Sequence, residues 1–194
     1  MRTVKLCVFG FILGGLIAFV SFKNNVGHES GLREDVGNIN NPHSVVEKQK
    51  KLLGRIVSKY RVDPNVAHDV IKFAYKYERD TFPKAKDILA VVGIESSWNP
   101  NAVSKLKKDP AVGLTQIRPG IWKSIIGDRS ALRSIENQIK FAAHILHWNY
   151  KQTKNRDHAI IAYNVGIGAF SRGEFTDNYL NKFKRERETF NFGG

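Results

Sequence analysis

Residues 95–104 read Glu95-Ser96-Ser97-Trp98-Asn99-Pro100-Asn101-Ala102-Val103-Ser104. They follow an apolar run, Ile88 to Ile94, whose composition and spacing indicate a helix. The Asn99-Pro100 pair is expected to stop that helix, because proline disfavours helical geometry in the residue before it. Glu95 is therefore predicted at the end of an apolar helix. For a lone glutamate, an exposed position at a helix end would be the ordinary interpretation.

The chain around this stretch carries a succession of amphipathic helical patterns and no convincing strand pattern. Six helix starts are predicted, at Ser44, Asp63-Pro64, Pro83, Ser130, Asp157 and Thr176. The helix that begins at Asp157 should end at Gly166 and Gly168, because glycine favours helix ends. Residues 99–119 show no sustained periodicity and are predicted as loop. Residues 44–194 are thus expected to form one all-α domain.

Two further segments interrupt the amphipathic patterns, and they read Gly113-Leu114-Thr115-Gln116-Ile117 and Ala162-Tyr163-Asn164-Val165-Gly166-Ile167-Gly168. In this order and spacing, the three segments resemble the signature of the soluble lytic transglycosylase family, whose catalytic domain is a variant of the lysozyme fold. The resemblance extends over about residues 65–190. It implies an all-α, lysozyme-like domain that acts on the glycan strands of peptidoglycan.

Glu95 has surroundings that suit a general acid. Cleavage of a glycosidic bond requires protonation of a poor leaving oxygen, and a carboxyl group does this at neutral pH only where apolar surroundings raise its pKa. The run from Ile88 to Ile94 and the indole of Trp98 would provide such surroundings. Glu95 is therefore the predicted catalytic residue.

Most glycosidases add a second carboxylate to the acid. The candidates are Asp109, Asp128, Glu136 and Asp157. None of them lies in the three signature segments, so they are interpreted as caps, turn residues or solvated charges.

The resemblance implies a mechanism that needs only Glu95. The 2-acetamido group of the muramoyl sugar would support positive charge at C1, and the 6-hydroxyl of the same sugar would then attack C1. Glu95 would first donate a proton to the leaving oxygen and then accept one from that hydroxyl. The β-1,4 bond between MurNAc and GlcNAc would break with formation of 1,6-anhydro-MurNAc, and no water would be consumed.

The same resemblance assigns five residues to the glycan-binding groove. Ser104 would hydrogen-bond near the acid and the acetamido group, and Gln116 would bind sugar hydroxyls as both donor and acceptor. Tyr163 and Asn164 match a Tyr-Asn pair whose phenol reaches towards the acid. Tyr179 matches a further groove tyrosine, although it also suits simple helix packing.

The sequence departs from the family pattern around the groove. The loop from Lys105 to Val112 is about three residues longer than the usual short turn. Thr115 stands where methionine is common, and Arg118 stands where an apolar groove residue is usual. These changes alter the expected shape and charge of the groove. Lys105, Lys107 and Lys108 are candidates to meet peptide carboxylates, with a solvated loop as the alternative.

The N-terminus is predicted to be a targeting segment. Arg2 and Lys5 precede an uncharged run over residues 6–22, so residues 1–23 are interpreted as a signal peptide or a signal-anchor helix. A small-x-small cleavage site is not evident, which favours an anchor in the inner membrane through residues 6–22 with the rest in the periplasm. Secretion after signal cleavage is the alternative. Residues 24–43 are polar and are predicted to form a flexible tether.

Charge and cysteine content narrow the chemistry. The formal net charge of +13 favours anionic partners, and for an exported domain the cell wall is a more accessible partner than nucleic acid. The single cysteine, Cys7, lies in the apolar run, so the exported part has no thiol. The six histidines lack a metal-binding spacing. Neither a metal nor another cofactor is expected.

Two other functions remain open from the sequence. A goose-type lysozyme-like muramidase has the same fold and acid but delivers water to C1. A non-catalytic cell-wall-binding module, as part of a secretion or phage apparatus, would keep the fold without turnover. The presence of Glu95, Ser104, Gln116 and Tyr163 together argues against the second alternative.

Overall fold

A computed structural model describes residues 42–191, and the regular elements within this range are helical. The helices are α1 (Pro42–Tyr60), α2 (Pro64–Tyr77), α3 (Ala85–Ser96), α4 (Lys123–Ile126), α5 (Ile135–Thr153), α6 (Arg156–Val165), α7 (Ile167–Ser171) and α8 (Asn178–Glu188), with a 3₁₀ helix at Arg129–Arg133. The β structure found in residues 42–191 consists of two isolated bridges, Val103–Val112 and Val112–Ile117. The prediction of an all-α domain is confirmed for this range.

Several predicted segments lie outside the described residues. These are the signal peptide or anchor at residues 1–23, residues 24–41 of the predicted tether, and residues 192–194. Helix α1 begins at Pro42, two residues before the predicted start. In the part of the chain between residues 42 and 191, none of the helices combines the length and apolar character that a membrane crossing requires.

The start of α2 agrees with the prediction. The Asp63 carboxylate accepts hydrogen bonds from the backbone N–H groups of Asn65 (2.8 Å) and Val66 (3.3 Å). Pro64 occupies the first turn, where its missing N–H costs nothing. A cap followed by proline therefore identifies this helix start from sequence alone.

Two other predicted starts are wrong because different side chains reach the free N–H groups. The long helix begins at Ile135 rather than Ser130, since Ser134 caps it and Ser130 lies in the preceding 3₁₀ helix. Helix α6 is capped by Asn155 rather than Asp157, and the Asn155 side chain accepts from the N–H of His158 at 3.1 Å.

The remaining differences lie at other helix ends. Helix α3 begins at Ala85, two residues after Pro83, because the Asp87 carboxylate accepts a hydrogen bond from the N–H of Lys84. Helix α8 begins at Asn178 rather than Thr176. Gly166 ends α6 as predicted, whereas Gly168 lies inside α7.

Helix α3 forms the centre of the core. Its residues Ile88 to Val92 are each at most 1% exposed, and α2, α5 and α8 pack against it. Beyond its end, the buried indole of Trp98 packs between the rings of Tyr60 (5.6 Å between centroids) and Phe190 (6.3 Å). The end of α3 is therefore anchored in the core on one side.

Three ion pairs attach α8 to the rest of the domain. Their atoms are Lys59 Nζ and Glu186 Oε2 at 2.9 Å, Arg187 Nε and Asp87 Oδ1 at 2.5 Å, and Lys184 Nζ and Asp157 Oδ2 at 2.6 Å. The Asp87 carboxylate is almost fully buried, so its pair with Arg187 is the least exposed to competition from water. These contacts fix α8 against α3, α1 and α6.

A buried amide organises the loop that follows α3. The side-chain oxygen of Gln138 accepts a hydrogen bond from Leu114 N–H at 2.6 Å, and its nitrogen donates to the carbonyl of Leu132 at 2.7 Å. Ser96 Oγ, at the end of α3, donates to the carbonyl of Leu114 at 2.8 Å. Gly113 has φ +75° and lies so close to Gln138 that a Cβ atom would collide with the amide. The loop is thus attached to both α3 and α5.

We expect Gly113→Ala to destabilise the domain more than the matched variant Gly173→Ala. Gly113 has φ +75° and Gly173 has φ +74°, but a Cβ at Gly173 meets open space. The backbone strain common to both should cost about 1–2 kcal/mol, and the collision with Gln138 should cost roughly 1–3 kcal/mol more in Gly113→Ala alone. Chemical denaturation measures both free energies of unfolding. Equal losses in the two variants would contradict the close packing of Gln138 on the loop.

Candidate active site

A cleft of about 320 Å³ lies beside the end of α3. Its walls come from the end of α3, the loop over residues 104–122, and the end of α6. Five of the six residues predicted for the site line this cleft, namely Glu95, Ser104, Gln116, Tyr163 and Asn164. The sixth, Tyr179, contacts Glu95 directly. The structure therefore brings the three sequence segments and the start of α8 together.

The carboxyl group of Glu95 has an acidity unlike that of a surface glutamate. Burial raises the pKa of Glu95 from its ordinary value of 4.5 to about 7, and the hydrogen bond from Tyr179 opposes this rise. Glu95 also lies in the last turn of α3, where the negative end of the helix dipole disfavours a negative charge. A large fraction of this carboxyl group is therefore protonated at neutral pH.

Backbone geometry explains why the helix ends beside the cleft. Ser97 and Trp98 both have positive φ, 51° and 67°, and the N–H of Ser97 returns to the carbonyl of Gly93 at 3.2 Å. This left-handed turn sends the indole of Trp98 into the core. Glu95 remains partly exposed in the last turn and lines the cleft.

Two tyrosines lie close to Glu95, and they have different partners. The Tyr179 hydroxyl donates a hydrogen bond to Glu95 Oε1 at 2.5 Å. The Tyr163 hydroxyl donates instead to the carbonyl of Thr115 at 2.8 Å. Burial, followed by the nearby Glu95 charge, raises the pKa of both phenols well above 10, so both remain donors. The resemblance has the phenol of Tyr163 reach towards the acid and position either the acid or the sugar, and in the structure the hydrogen bond to Glu95 comes from Tyr179.

Ser104 and Gln116 shape the cleft wall through backbone contacts. Ser104 Oγ accepts from the N–H of Ala111, and Ser104 N–H donates to the carbonyl of Ala111, both at 2.9 Å. This pair closes the long loop between them. The Gln116 side-chain nitrogen donates to the carbonyls of Ala102 (3.2 Å) and Gly113 (2.9 Å). Its amide oxygen is the group that Gln116 offers to a ligand.

The other candidate carboxylates have structural contacts. Those of Asp109 and Asp128 accept backbone N–H hydrogen bonds, and those of Glu136 and Asp157 pair with lysines. These contacts agree with their interpretation as caps or solvated charges. Among the described residues that line the cleft, Glu95 is the sole carboxylate. Residues 42–191 also contain no group of three or more His, Cys, Asp or Glu side chains arranged to hold a metal ion.

One residue of the site was missed in the sequence. Gln138 fixes the loop, and the signal for it is a polar side chain on the inward stripe of α5, between Ile135 and Ile139. Trp122, which the sequence offers as a candidate to stack on a sugar face, lines the cleft and packs edge-on against Trp148, with 5.6 Å between ring centroids.

Comparison with known proteins gives one match. A family model described as a transglycosylase SLT domain matches residues 70–185, which is more than half of the chain. Comparisons with curated proteins and with solved structures gave no match. The matched range includes the residues that line the cleft and Tyr179.

We expect Glu95→Gln to stabilise the protein increasingly as the pH rises. The pKa of Glu95 in the folded state, about 7, exceeds its ordinary value of 4.5, so the favourable contribution of the protonated form is complete below pH 4.5 and is lost as the pH rises through 7. Glutamine stays neutral. Its advantage in free energy of unfolding should grow by about 3 kcal/mol between about pH 4 and pH 8.

Denaturation of both proteins across this pH range measures the difference, with Glu174→Gln as the control. Glu174 is exposed and paired with Arg172, which lowers its pKa, so its replacement should give no such gain. A difference between Glu95→Gln and wild type that does not vary with pH would contradict the raised pKa.

Proposed function

The chain belongs to the transglycosylase SLT domain family, and we propose that it is a peptidoglycan lytic transglycosylase. In this proposal it cleaves the β-1,4 bond between MurNAc and GlcNAc and forms 1,6-anhydro-MurNAc. Family membership supports a transglycosylase or lysozyme-like action on peptidoglycan in general. The particular reaction and the roles of individual residues are inferred from the cleft.

One observation carries the proposal: the cleft contains a single carboxyl group whose pKa is about 7. A group with this pKa is ready both to donate and to accept a proton at neutral pH. A mechanism with two carboxylates would need a second one within about 5–10 Å of the first, on the other side of the sugar. The described lining residues offer none, which supports a reaction that uses the substrate's own groups instead.

The proposed reaction proceeds in two steps. Protonated Glu95 donates its proton to the glycosidic oxygen as the bond to C1 breaks, while the 2-acetamido group of the muramoyl sugar supports the charge at C1. The 6-hydroxyl of that sugar then attacks C1, and the Glu95 carboxylate takes its proton. The Tyr179 hydroxyl donates to Glu95 Oε1 and so orients the carboxyl group during both transfers.

The other predicted residues act as binding groups in this proposal. Gln116 offers its amide oxygen to sugar hydroxyls, and Ser104, Tyr163 and Asn164 line the same cleft. We also propose a periplasmic location, with the chain held in the inner membrane by residues 6–22. That location rests on the sequence of residues 1–23 alone.

We expect Glu95→Gln to lower the rate of wall cleavage by roughly 10²–10⁴-fold, the usual contribution of a positioned general acid. Purified peptidoglycan is digested, and the released fragments are analysed by mass spectrometry. The wild type should give fragments lighter by one water than hydrolysis products. Glu174→Gln, which changes an exposed carboxylate, is the matched control. Products with reducing ends would identify a muramidase, and undiminished activity of Glu95→Gln would remove Glu95 from the mechanism.

We expect Tyr179→Phe to move the alkaline limb of the pH–rate profile to higher pH. The hydrogen bond from Tyr179 lowers the pKa of Glu95, so its removal leaves burial unopposed and raises that pKa further. The rate should also fall, because the carboxyl group loses the contact that orients it. Tyr163→Phe is the matched comparison, since that hydroxyl donates to Thr115 and its loss should leave the limb in place. A shift in the opposite direction would contradict the assigned contact.

A further inference from the structure

Arg118 brings a permanent charge into the cleft. Its side chain lines the same cavity as Glu95 and is 42% exposed. Among the described lining residues, Arg118 is the one lysine or arginine. Arginine carries its positive charge on a planar guanidinium group. With Glu95 protonated, the lining of the cleft carries a net positive charge.

The guanidinium group is held through its Nε atom. Arg118 Nε donates to the carbonyl of Asp109 at 3.3 Å and lies 3.5 Å from Asp109 Oδ2. Both of these contacts use Nε, and the two terminal nitrogens form the other end of the planar fork. This fork matches the two oxygens of a carboxylate. Arg118 is thus oriented before a ligand arrives.

The Asp109 carboxylate beside Arg118 is shared with the backbone. It accepts hydrogen bonds from the N–H groups of Gly120 at 2.7 Å and Ile121 at 3.3 Å. These contacts fold the loop over residues 105–121. The distance of 3.5 Å between Asp109 Oδ2 and Arg118 Nε is long for a charge-assisted hydrogen bond, so Asp109 is a weak partner for the half-exposed guanidinium group.

The charge of Arg118 is also compatible with the acid. Burial and the Tyr179 hydrogen bond account for the shifted pKa of Glu95, and Arg118 is not among the causes. The cation therefore lines the cleft without holding Glu95 in its ionised form. Sugar rings are uncharged and gain little from a guanidinium group, whereas an anionic substituent of the sugar gains a partner.

We propose that Arg118 binds a carboxylate carried by the muramoyl sugar and makes the enzyme selective for strands that bear it. This inference rests on the proposed function. The carboxylate has two possible sources in the wall. One is the peptide stem, and the other is the lactyl group of a sugar from which the stem has been removed. The shared chemistry is a carboxylate on the substituent of the sugar bound near Glu95.

The test compares three substrates: intact peptidoglycan, peptidoglycan with its carboxylates converted to amides, and glycan strands stripped of their peptide stems. We expect the wild type to cleave intact walls about tenfold faster than amidated walls, as a bidentate pair in a half-open cleft would give. In Arg118→Met this ratio should fall close to one, and in Arg118→Lys, which keeps the charge and loses the fork, it should be intermediate. Fast, Arg118-dependent cleavage of stripped strands shows that the lactyl carboxylate is accepted as well as the stem, and slow cleavage restricts the partner of Arg118 to the stem.

Arg129→Met is the matched control, because it removes the same charge from an exposed residue of the 3₁₀ helix outside the cleft. It should keep the tenfold ratio. Thermal unfolding of all variants verifies that they fold. A wild-type ratio near one, or a ratio unchanged in Arg118→Met, would overturn the inference.

Binding separates this inference from the proposed function. Glu95→Gln and the double variant Glu95→Gln, Arg118→Met are pelleted with intact and with amidated walls. The single variant should favour intact walls by about tenfold and the double variant by much less. If no anhydro product forms in any digestion, the proposed reaction fails while the binding ratio still decides the role of Arg118. If anhydro product forms, and intact walls are neither cleaved faster nor bound more tightly than amidated walls, only the inference fails.

Discussion

The carboxyl group of Glu95 is subject to two opposing influences, and the rest of the site is arranged around their balance. Removal from water and a position at the end of α3 disfavour its negative charge, while the Tyr179 hydrogen bond favours it. Burial is the larger influence, and the pKa of about 7 is the result. Neither influence arises from a neighbouring ion. The balance therefore depends on packing, that is, on how closely α8 and the loop after α3 enclose the group.

That packing is maintained by polar contacts at the edges of the core. Asp87 in α3 pairs with Arg187 of α8, and Lys59 in α1 pairs with Glu186 of α8. These pairs keep Tyr179, in the first turn of α8, beside the end of α3. On the opposite wall, Gln138 keeps the loop in place through Leu114. A buried amide with both of its ends bonded is costly to disturb, because either partner would be left unpaired. The active-site geometry thus depends on residues outside the cleft.

The fold class and the family were predictable from the sequence, and the family match confirms the predicted family. The helical periodicity is strong, and the cap at Asp63 is local, so both are visible in the chain itself. Helix starts at Ser134 and Asn155 were missed because several polar residues compete for each cap, and only the folded geometry selects one. The partner of Glu95 was missed for a similar reason. Tyr179 is 84 residues from Glu95, and its contact depends on the docking of α8.

The other candidate carboxylates of the domain have structural roles, which leaves the carboxyl group of Glu95 alone to transfer protons in the cleft. Asp109, Asp128 and Glu136 are already bound to backbone N–H groups or to lysine, and none of the three lines the cleft. A second ionised carboxylate in the cleft would raise the pKa of Glu95 further and would hold the proton too tightly for its return as a base. With a pKa of about 7, donation and acceptance of the proton are almost equal in free energy at neutral pH. In the proposed reaction, the same group performs both transfers, so this equality is the property that the mechanism requires. Arg118 lines the same cleft, but burial and the Tyr179 hydrogen bond account for the pKa of Glu95. The cation can therefore serve substrate recognition independently of the proton transfers.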